Sequence, residues 1–317
     1  MDEFEIIRKY FDRESESDTV ISGIGDDGAV TRPSAGNDIV TVIDTMVAGV
    51  HFPLSLDPAD IGYRVVAVNL SDIAAMGAKP KWMTLALTLS ESDPAWLAAF
   101  AAGLFEAADE HGVVLVGGDT TRGNELVVTI QIAGEVEPGK EMLRSGAKAG
   151  DAIYVTGTIG DAAAGLSVLQ SGAPRNNDIE YLIRRFARPT ARVEFGLEIA
   201  TLASAAIDLS DGLFTDIEKL MNASKTSGVL EINEIPLSPQ LCATMAPEDA
   251  ARFALGGGDD YELAFASSEN PDQVKALGDK HGVSVTRVGF VVAGEGLTCT
   301  QGGTPYDYRS DGYRHFH

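Results

Sequence analysis

The chain has 317 residues, and its 24 Lys and Arg against 47 Asp and Glu give a formal net charge of −23. This balance argues against nucleic acid as a partner, because binding a phosphate backbone needs clustered cations and the longest basic cluster here is the pair Arg184 and Arg185. Apolar residues make up 44%, and no apolar run approaches the roughly 20 residues that span a bilayer, so we expect a globular protein with no membrane partner.

The N-terminal segment is acidic and lacks the basic and apolar regions of a signal peptide, which predicts a cytoplasmic location. The two cysteines, Cys242 and Cys299, are too few for a disulfide framework and lie in no metal-ligand spacing. The sequence therefore predicts a soluble protein whose stability comes from its core.

The first half of the chain alternates predicted strands and helices. In chain order, periodicity predicts a strand at 39–47, a helix at 57–76, a strand at 82–90, a helix at 94–112 and strands at 113–118 and 125–136. Asp57 before Pro58 is typical of a helix N-cap, and the helix that follows would bury one apolar face, formed by Ile61, Val65, Val68 and Ile73. The polar, glycine-bearing segment 137–151 suits a domain boundary.

The second half repeats this alternation. It predicts a strand at 152–157, helices at 160–170, 178–186 and 190–203, a strand at 205–209, a helix at 211–223, a strand at 261–267 and a helix–strand pair over 270–292. Asp211 is a plausible N-cap of its helix. The predicted fold class is therefore α/β (α+β), with mixed sheets packed against helices in two domains, 1–140 and 150–317.

Acidic residues collect at the ends of these apolar elements, beside glycines. Ten of the 47 acids lie in such places: Asp26, Asp27, Asp44, Asp72, Asp119, Asp208, Asp211, Asp259, Asp260 and Glu262. A carboxylate there is costly unless it is paired or binds a cation, and few cations are nearby in sequence, namely Arg122, Lys79, Arg144 and Lys148. Magnesium favours carboxylate oxygens together with water and substrate phosphates, and glycines let phosphates approach backbone N–H groups. The pattern predicts a magnesium and phosphate site.

Each acid also has a structural interpretation. A single Asp beside Gly is usually a turn or cap residue, as Asp26 is in its turn, whereas Asp72 lies inside a predicted helix between apolar neighbours. The chain contains none of the patterns GxxxxGK[ST], GxSxG, HExxH and GxGxxG, which argues against the corresponding nucleotide, hydrolase and zinc sites. His51, taken alone, is better explained by a structural or surface role.

Taken together and in order, the motifs resemble those of thiamine-monophosphate kinases. The segments that carry the resemblance cover essentially the whole chain: GIGDDGAV, DTMVAGVHF, DPADIGYRVVAVNLSDIAAMGAKP, LVGGDTTRG, RSGAKAGDAIYVTGTIGDAAAGL, AIDLSDGL, GGGDDYELAF and DGYRHF. The short glycine–aspartate segments alone would indicate only a wider superfamily of ATP-using enzymes similar to aminoimidazole ribonucleotide synthetase. The run VAVNLSDIAAMGA with VAGVHF and GGDTTRG is narrower and indicates the kinase family.

The resemblance implies a homodimer of two-domain subunits that transfers the γ-phosphoryl group of ATP directly onto thiamine monophosphate, with several magnesium ions. By resemblance, magnesium would be held by Asp27, Asp44, Asp72, Asp119, Asp208 and Asp211. ATP would contact Gly118, Asp119, Arg144 and Ser210, and thiamine phosphate would contact His51, Asp259 and Tyr313. Because the acceptor phosphate is already largely ionised near neutral pH, no strong general base is required.

Two positions depart from the family pattern. Val42 and Ile43 stand where hydroxyl residues commonly precede Asp44, and they offer only backbone carbonyls. Asp259 stands where the family usually has Glu, one methylene longer. Two other functions stay open: another ATP-dependent synthetase of the superfamily, and an inactive scaffold that binds nucleotide and metal.

Overall fold

A computed structural model of the protein describes residues 1–13, 17–172 and 174–308. The described chain forms two compact units. Unit 1 comprises Met1–Ile73 and Ala78–Gly139, and unit 2 comprises Ala74–Gly77 and the described residues from Lys140 onward. The break near Gly139 falls in the polar segment that follows the last strand of unit 1.

The secondary structure of unit 1 begins with a short helix that continues as a π-helical turn, Ile7–Phe11. Its helices are α1 (Glu3–Ile6), α2 (Pro58–Ala75, whose last two residues belong to unit 2) and α3 (Pro94–Glu110). Its strands are β1 (Val20–Ser22), β2 (Val30–Thr31), β3 (Asp38–Val47), β4 (Lys79–Leu89), β5 (Val114–Arg122) and β6 (Val127–Val136).

The main sheet of unit 1 has the order β3-β6-β4-β5. Strands β4 and β5 are parallel, with α3 as the connection between them, and the other pairs are antiparallel. One face is buried, since Ile130 and Ile132 of β6 are fully covered and Ile73 of α2 would lie 3.3 Å from a Cβ placed at Gly134. The opposite face is open among the described residues, where Ile43 of β3 is 64% exposed.

Helix α2 confirms the predicted cap and the predicted buried face. The carboxylate of Asp57 accepts a hydrogen bond from Ala59 N at 2.8 Å, and Pro58 is the first helical residue. The four predicted apolar positions are all buried: Ile61, Val65, Val68 and Ile73. Helix α3 crosses α2 closely, because a Cβ at Gly103 would lie 1.8 Å from Ala59 O.

Unit 2 is built on a larger mixed sheet with the order β13-β12-β9-β11-β7-β10-β8. Its strands are β7 (Ala152–Thr156), β8 (Ala205–Asp208), β9 (Ser227–Glu231), β10 (Leu263–Ser267), β11 (Val285–Val292), β12 (Gly296–Gln301) and β13 (Thr304–Tyr306). Its helices are α4 (Asp161–Ser171), α5 (Asn177–Ala187), α6 (Val193–Ile199), α7 (Leu213–Ser224), α8 (Pro239–Thr244), α9 (Pro247–Gly256) and α10 (Pro271–His281). Strands β9 and β12 are parallel and the other pairs are antiparallel, so the predicted fold class is confirmed.

Several predicted boundaries in unit 2 were wrong. The helix expected at 190–203 is only Val193–Ile199, and the strand expected from Tyr261 begins at Leu263 because Asp259 and Tyr261 have positive φ angles of 73° and 52°. The periodicity also missed β9, α8, α9, β12 and β13. Within residues 1–13, 17–172 and 174–308, no helix combines the length and apolar character needed to cross a membrane.

Candidate functional site

The acids of unit 1 lie on both faces of its sheet. Asp44 on β3 pairs in register with the buried Ile130, so its side chain lies on the covered face, the side on which α2 carries Asp72. Asp119 on β5 pairs with the exposed Ala86, which places it on the open face. Strands β3 and β5 are separated by β6 and β4, so the two backbones are about 14 Å apart. Asp44 and Asp119 of one chain are therefore too far apart to bind the same metal ion.

Asp27 lies in the predicted glycine-flanked turn. It is exposed, and its backbone N–H donates to the carboxylate of Asp26 at 2.8 Å, so Asp26 stabilises the turn as its structural interpretation requires. Both residues are exposed, and the carboxylate of Asp27 takes no part in this bond.

His51 lies in the turn that follows β3. Its Nδ1 accepts a hydrogen bond from Val47 N at 2.9 Å, and its own backbone N–H donates to Val47 O. A neutral His51 therefore carries its proton on Nε2. The same loop exposes two apolar side chains, Val50 at 56% and Leu54 at 84%. The histidine thus has a structural role at the strand end.

Gly118, a predicted ATP contact, lies at a position in the sheet that has no room for a side chain. A Cβ at this position would lie 1.9 Å from Leu85 O on the neighbouring strand β4. A glycine here is therefore explained by strand packing, and its backbone N–H group is what it can offer a nucleotide.

In unit 2, hydrogen bonds join the two loops that carry the predicted site residues. The segment after β8 (Leu209–Gly212) and the segment before β10 (Gly256–Glu262) run side by side: Asp259 N donates to Ser210 O, Tyr261 N donates to Leu209 O, and Leu209 N donates to Glu262 O, at 2.8–2.9 Å. Asp208 ends β8, is 4% exposed and pairs in register with Leu263. The structure therefore brings together Asp208, Ser210, Asp211 and Asp259.

The conformation of Asp259 explains its departure from the family pattern. Its φ of 73° is in the left-handed region, where Asp and Asn are several-fold enriched over other non-glycine residues. A left-handed backbone at a non-glycine residue costs on the order of 1–3 kcal/mol of stability, which the surrounding hydrogen bonds must offset. A shorter acid that tolerates the left-handed conformation fits this backbone better than Glu does.

Asp211 forms an ion pair rather than a helix cap, so the N-cap prediction was wrong. Gly212 occupies the cap position of α7, and the backbone N–H groups of Asp211 and Gly212 both donate to the carboxylate of Asp216. The Asp211 carboxylate accepts a hydrogen bond from Lys219 Nζ at 2.5 Å, and Lys219 also bonds Asp216 at 2.8 Å. The expectation that few protein cations approach these acids was therefore also wrong.

Asp260 and Glu262, counted with the site from sequence, are buried structural groups. Asp260 accepts the N–H groups of Gly160 at 2.6 Å and Ala162 at 3.1 Å, at the start of α4. Glu262 is 0% exposed and accepts hydrogen bonds from Arg185, Arg192 and Thr156. Both side chains point into unit 2, and their hydrogen bonds fix the loop that carries Asp259.

Arg144 lies apart from the loops of Asp211 and Asp259. Its carbonyl accepts a hydrogen bond from the hydroxyl of Ser224, the last residue of α7, whereas Asp211 lies just before the first residue of that helix. The 12 residues of α7 separate the two by about 18 Å. Tyr313, a predicted substrate contact, lies outside the described residues.

The donor set is compatible with magnesium. Within the described ranges, no group of three or more His, Cys, Asp or Glu side chains is arranged to hold a metal ion by itself. Magnesium in phosphoryl-transfer sites usually takes one or two carboxylates and completes its octahedral shell with water and phosphate oxygens. Paired or single carboxylates beside loops, as at Asp208 and Asp211, suit that mode.

Two family models together match most of the chain. The family described as AIR synthase related protein, N-terminal domain, matches residues 25–136, and the corresponding C-terminal domain family matches residues 148–301. A thiamine-monophosphate kinase of Salmonella typhimurium (strain LT2) is 44% identical over 319 residues, covering 99% of this chain and 98% of the relative. The chain belongs to the thiamine-monophosphate kinase family.

Solved structures of the thiamine-monophosphate kinase family share the fold of this chain over most of its residues. The crystal structure of thiamine-monophosphate kinase from Stenotrophomonas maltophilia K279a has a TM-score of 0.87 and 40% identity, covering 92% of this chain and 93% of that one. The structure of AaThiL complexed with AMPPCP and TMP has a TM-score of 0.79 and 30% identity, covering 95% and 93%.

Sequence reasoning missed two residues of this thiamine-monophosphate kinase family member that contact a predicted metal ligand, Asp216 and Lys219. The signal that would have found their mutual contact is their i, i+3 spacing on a predicted helix. Nothing in the sequence indicated that the same lysine also reaches Asp211, eight positions away, because that contact depends on how the loop enters α7.

Proposed function

We propose that this chain catalyses the ATP-dependent phosphorylation of thiamine monophosphate to thiamine diphosphate, with ADP as the second product. The observation that carries the proposal is identity of 44% along essentially the full length of a thiamine-monophosphate kinase. The joined loops of unit 2 support it, because they present a hydroxyl and carboxylates together, the groups that a metal-bound polyphosphate needs.

The proposed roles of the residues follow from the family resemblance. Magnesium would be held by Asp27, Asp44, Asp72, Asp119, Asp208 and Asp211, and it would neutralise the negative charge of the donor and acceptor phosphates. Gly118, Asp119, Arg144 and Ser210 would bind ATP, the guanidinium of Arg144 as a fork for phosphate oxygens. His51, Asp259 and Tyr313 would orient thiamine phosphate. Transfer would be in line, with positioning rather than proton transfer as the main contribution of the chain.

The first prediction is the activity itself. Purified protein with ATP and magnesium should convert thiamine monophosphate to thiamine diphosphate, measured by chromatography, with free thiamine as a parallel acceptor that gives no product. Nucleotide binding without turnover would favour the inactive scaffold. ATP consumption with neither acceptor phosphorylated would favour another synthetase of the superfamily.

Asp72 tests the metal assignment in the same assay. Asp72→Asn keeps the side-chain volume and removes a carboxylate, so kcat/KM should fall by at least about 10- to 100-fold, as when metal sites are weakened. Asp109→Asn is the matched control, because Asp109 is an exposed helix residue paired with Arg13. Wild-type turnover in a folded Asp72→Asn variant would contradict the assignment.

We propose in addition that unit 1 mediates a homodimer through the open face of its sheet. Ile39 and Ile43 are 45% and 64% exposed on the edge strand β3, and Thr45 and Thr129 bridge β3 to β6 at 2.8 Å on the same face. An apolar, hydroxyl-rich sheet face of this kind is a natural protein-contact surface. The cytoplasmic location stays a prediction.

A further prediction concerns this face. Ile43→Lys should convert a dimer to a monomer in light scattering coupled to size exclusion, because it places a charge in the proposed contact. Phe290→Lys is the control, since Phe290 is a 50% exposed strand residue of unit 2. A wild-type monomer, or a dimer that persists in Ile43→Lys, would argue against the proposed face.

A further inference from the structure

Lys219 already places a cation on the carboxylate of Asp211. Its Nζ donates to Asp211 Oδ2 at 2.5 Å and to Asp216 Oδ1 at 2.8 Å. The Lys219 side chain is 38% exposed and that of Asp211 35%, so the pair is at the protein surface. A metal ion that binds this oxygen from the same side must displace the ammonium group.

The position of the ammonium is set by a buried group. Asp216 is 1% exposed, and its Oδ2 accepts the backbone N–H groups of Asp211 and Gly212 at 2.9 and 3.1 Å. The other oxygen, Oδ1, bonds Lys219. The same carboxylate therefore fixes both the loop that carries Asp211 and the cation that pairs with it, unlike a flexible surface lysine.

The ammonium lies between two carboxylates. Its Nζ is 2.8 Å from Asp216 Oδ1 and 2.5 Å from Asp211 Oδ2. A divalent cation that approaches Asp211 therefore meets a fixed positive charge within a few ångströms. At such separations near a protein surface, like charges repel strongly enough to change binding constants by an order of magnitude.

We propose that Lys219 is an internal counter-ion of Asp211, which weakens the binding of a divalent cation to this loop unless a polyphosphate accompanies it. The proposal rests on the assignment of Asp211 as a metal ligand made in the proposed function. Phosphate oxygens add negative charge beside the metal and offset the ammonium, which keeps its bond to Asp216. Metal alone gains no such compensation. The loop is thereby biased toward the metal–nucleotide complex rather than the free ion.

The test measures binding of Mn²⁺ alone to the full chain by electron paramagnetic resonance, without nucleotide or thiamine phosphate. The proposal concerns the Mn²⁺ site at Asp211, which is identified as the one that Asp211→Asn removes. Lys219→Met removes the charge and keeps the chain length, and it should bind Mn²⁺ at this site at least about tenfold more tightly, which is about 1.4 kcal/mol. Lys219→Arg should bind as the wild type does.

Lys275→Met is the matched control. Lys275 also pairs with an aspartate of unit 2, Asp279 at 2.6 Å, but both side chains are about two-thirds exposed and belong to α10. Its loss should leave Mn²⁺ binding unchanged. Equal or weaker binding by a folded Lys219→Met, or no difference between wild type and Asp211→Asn, would overturn the proposal.

A second measurement decides the question if Lys219→Met does not fold. The ¹⁵Nζ resonance of Lys219, assigned as the one missing from Lys219→Arg, should shift when Mg²⁺ displaces the ammonium from Asp211, and it should do so at a lower Mg²⁺ concentration when ATP is present. An unmoved resonance under saturating Mg²⁺ would overturn the proposal. Neither measurement uses turnover, so a chain that lacked the kinase activity would be recognised separately by the thiamine monophosphate assay.

Discussion

Two buried carboxylates just before β10, those of Asp260 and Glu262, have pKa values shifted in opposite directions. Burial raises the pKa of Asp260 to about 7, although Arg185 and the N–H groups of Gly160 and Ala162 act against it. Burial also acts to raise the pKa of Glu262, but Arg192 and Arg185 lie in direct contact and bring it below its ordinary value. The number and distance of the cations, rather than burial itself, decide the protonation state of each group.

Asp260 predicts a pH dependence of stability. Since its pKa is raised in the folded chain, the folded state holds the proton more tightly than the unfolded state, whose carboxyl titrates near pH 3.9. The stability it contributes is fully present below that pH and is lost as pH rises to about 7. From pH 5 to pH 8, the free energy of unfolding of the wild type should fall by up to about 3 kcal/mol more than that of Asp260→Asn.

Urea unfolding at a series of pH values measures this difference. The window lies above the range in which Glu262 contributes, because a lowered pKa gives stability that is lost only as pH falls through the acid region. Asp249→Asn, at an exposed surface pair with Arg252, should follow the wild-type slope. Parallel slopes for Asp260→Asn and wild type would contradict the raised pKa.

At the scale of elements, the crossing of α2 and α3 depends on small residues. A Cβ at Gly62 would lie 2.1 Å from Phe100 O, and one at Gly103 would lie 1.8 Å from Ala59 O, so the two backbones meet on both sides. Because α2 also carries Asp72, the close approach sets where that predicted ligand lies relative to the sheet.

Gly103→Ala is therefore expected to destabilise unit 1. Ala favours a helix over Gly by about 1 kcal/mol, but the clash is with rigid backbone, and overpacking typically costs about 1–3 kcal/mol or more, so the net change should be a loss. Urea unfolding measures it. Gly28→Ala is the control, because a Cβ at Gly28 meets nothing within 4 Å. A variant as stable as wild type would mean that the helices separate readily.

The elements that periodicity predicted well are those whose pattern is local. The cap and the apolar face of helix α2 are determined by residues that are close together in sequence. The predicted helix was therefore accurate to about one residue at each end. The strands β9, β12 and β13 were missed because they are short and half polar, and their pairing is decided by the sheet. For the site, the motifs located the acids at the ends of elements. The ion pair of Asp211 depends instead on how the loop enters α7, and the buried contacts of Glu262 depend on a partner far away in sequence.

For the whole molecule, the charge of −23 is a source of self-repulsion that ions can relieve in two ways. Simple salt screens all the acids equally. Magnesium screens them too, and under the proposed function it would also bind the folded chain, which would add stability by mass action. The two effects separate when ionic strength is matched.

The midpoint of thermal unfolding should accordingly rise more in MgCl₂ than in NaCl of equal ionic strength. At a magnesium concentration about tenfold above its dissociation constant, the extra rise should be about 2–4 °C for a protein of this size. The double variant Asp208→Asn, Asp211→Asn should lose much of the difference while keeping the rise in NaCl. An equal response to both salts in the wild type would mean that magnesium acts only by screening.

The order of strands in unit 2 has a consequence for synthesis on the ribosome. Strand β7 lies in the interior of the sheet, yet Val155 pairs with Ala264, which is 109 residues further along the chain, and with Thr286 of β11, later still. At about 5–20 residues per second, translation leaves this apolar strand without either neighbour for on the order of 10 s. Unit 1, by contrast, has both neighbours of each interior strand once Val136 has emerged. A nascent chain paused anywhere between β7 and β10 is thus the form of this protein most in need of a chaperone.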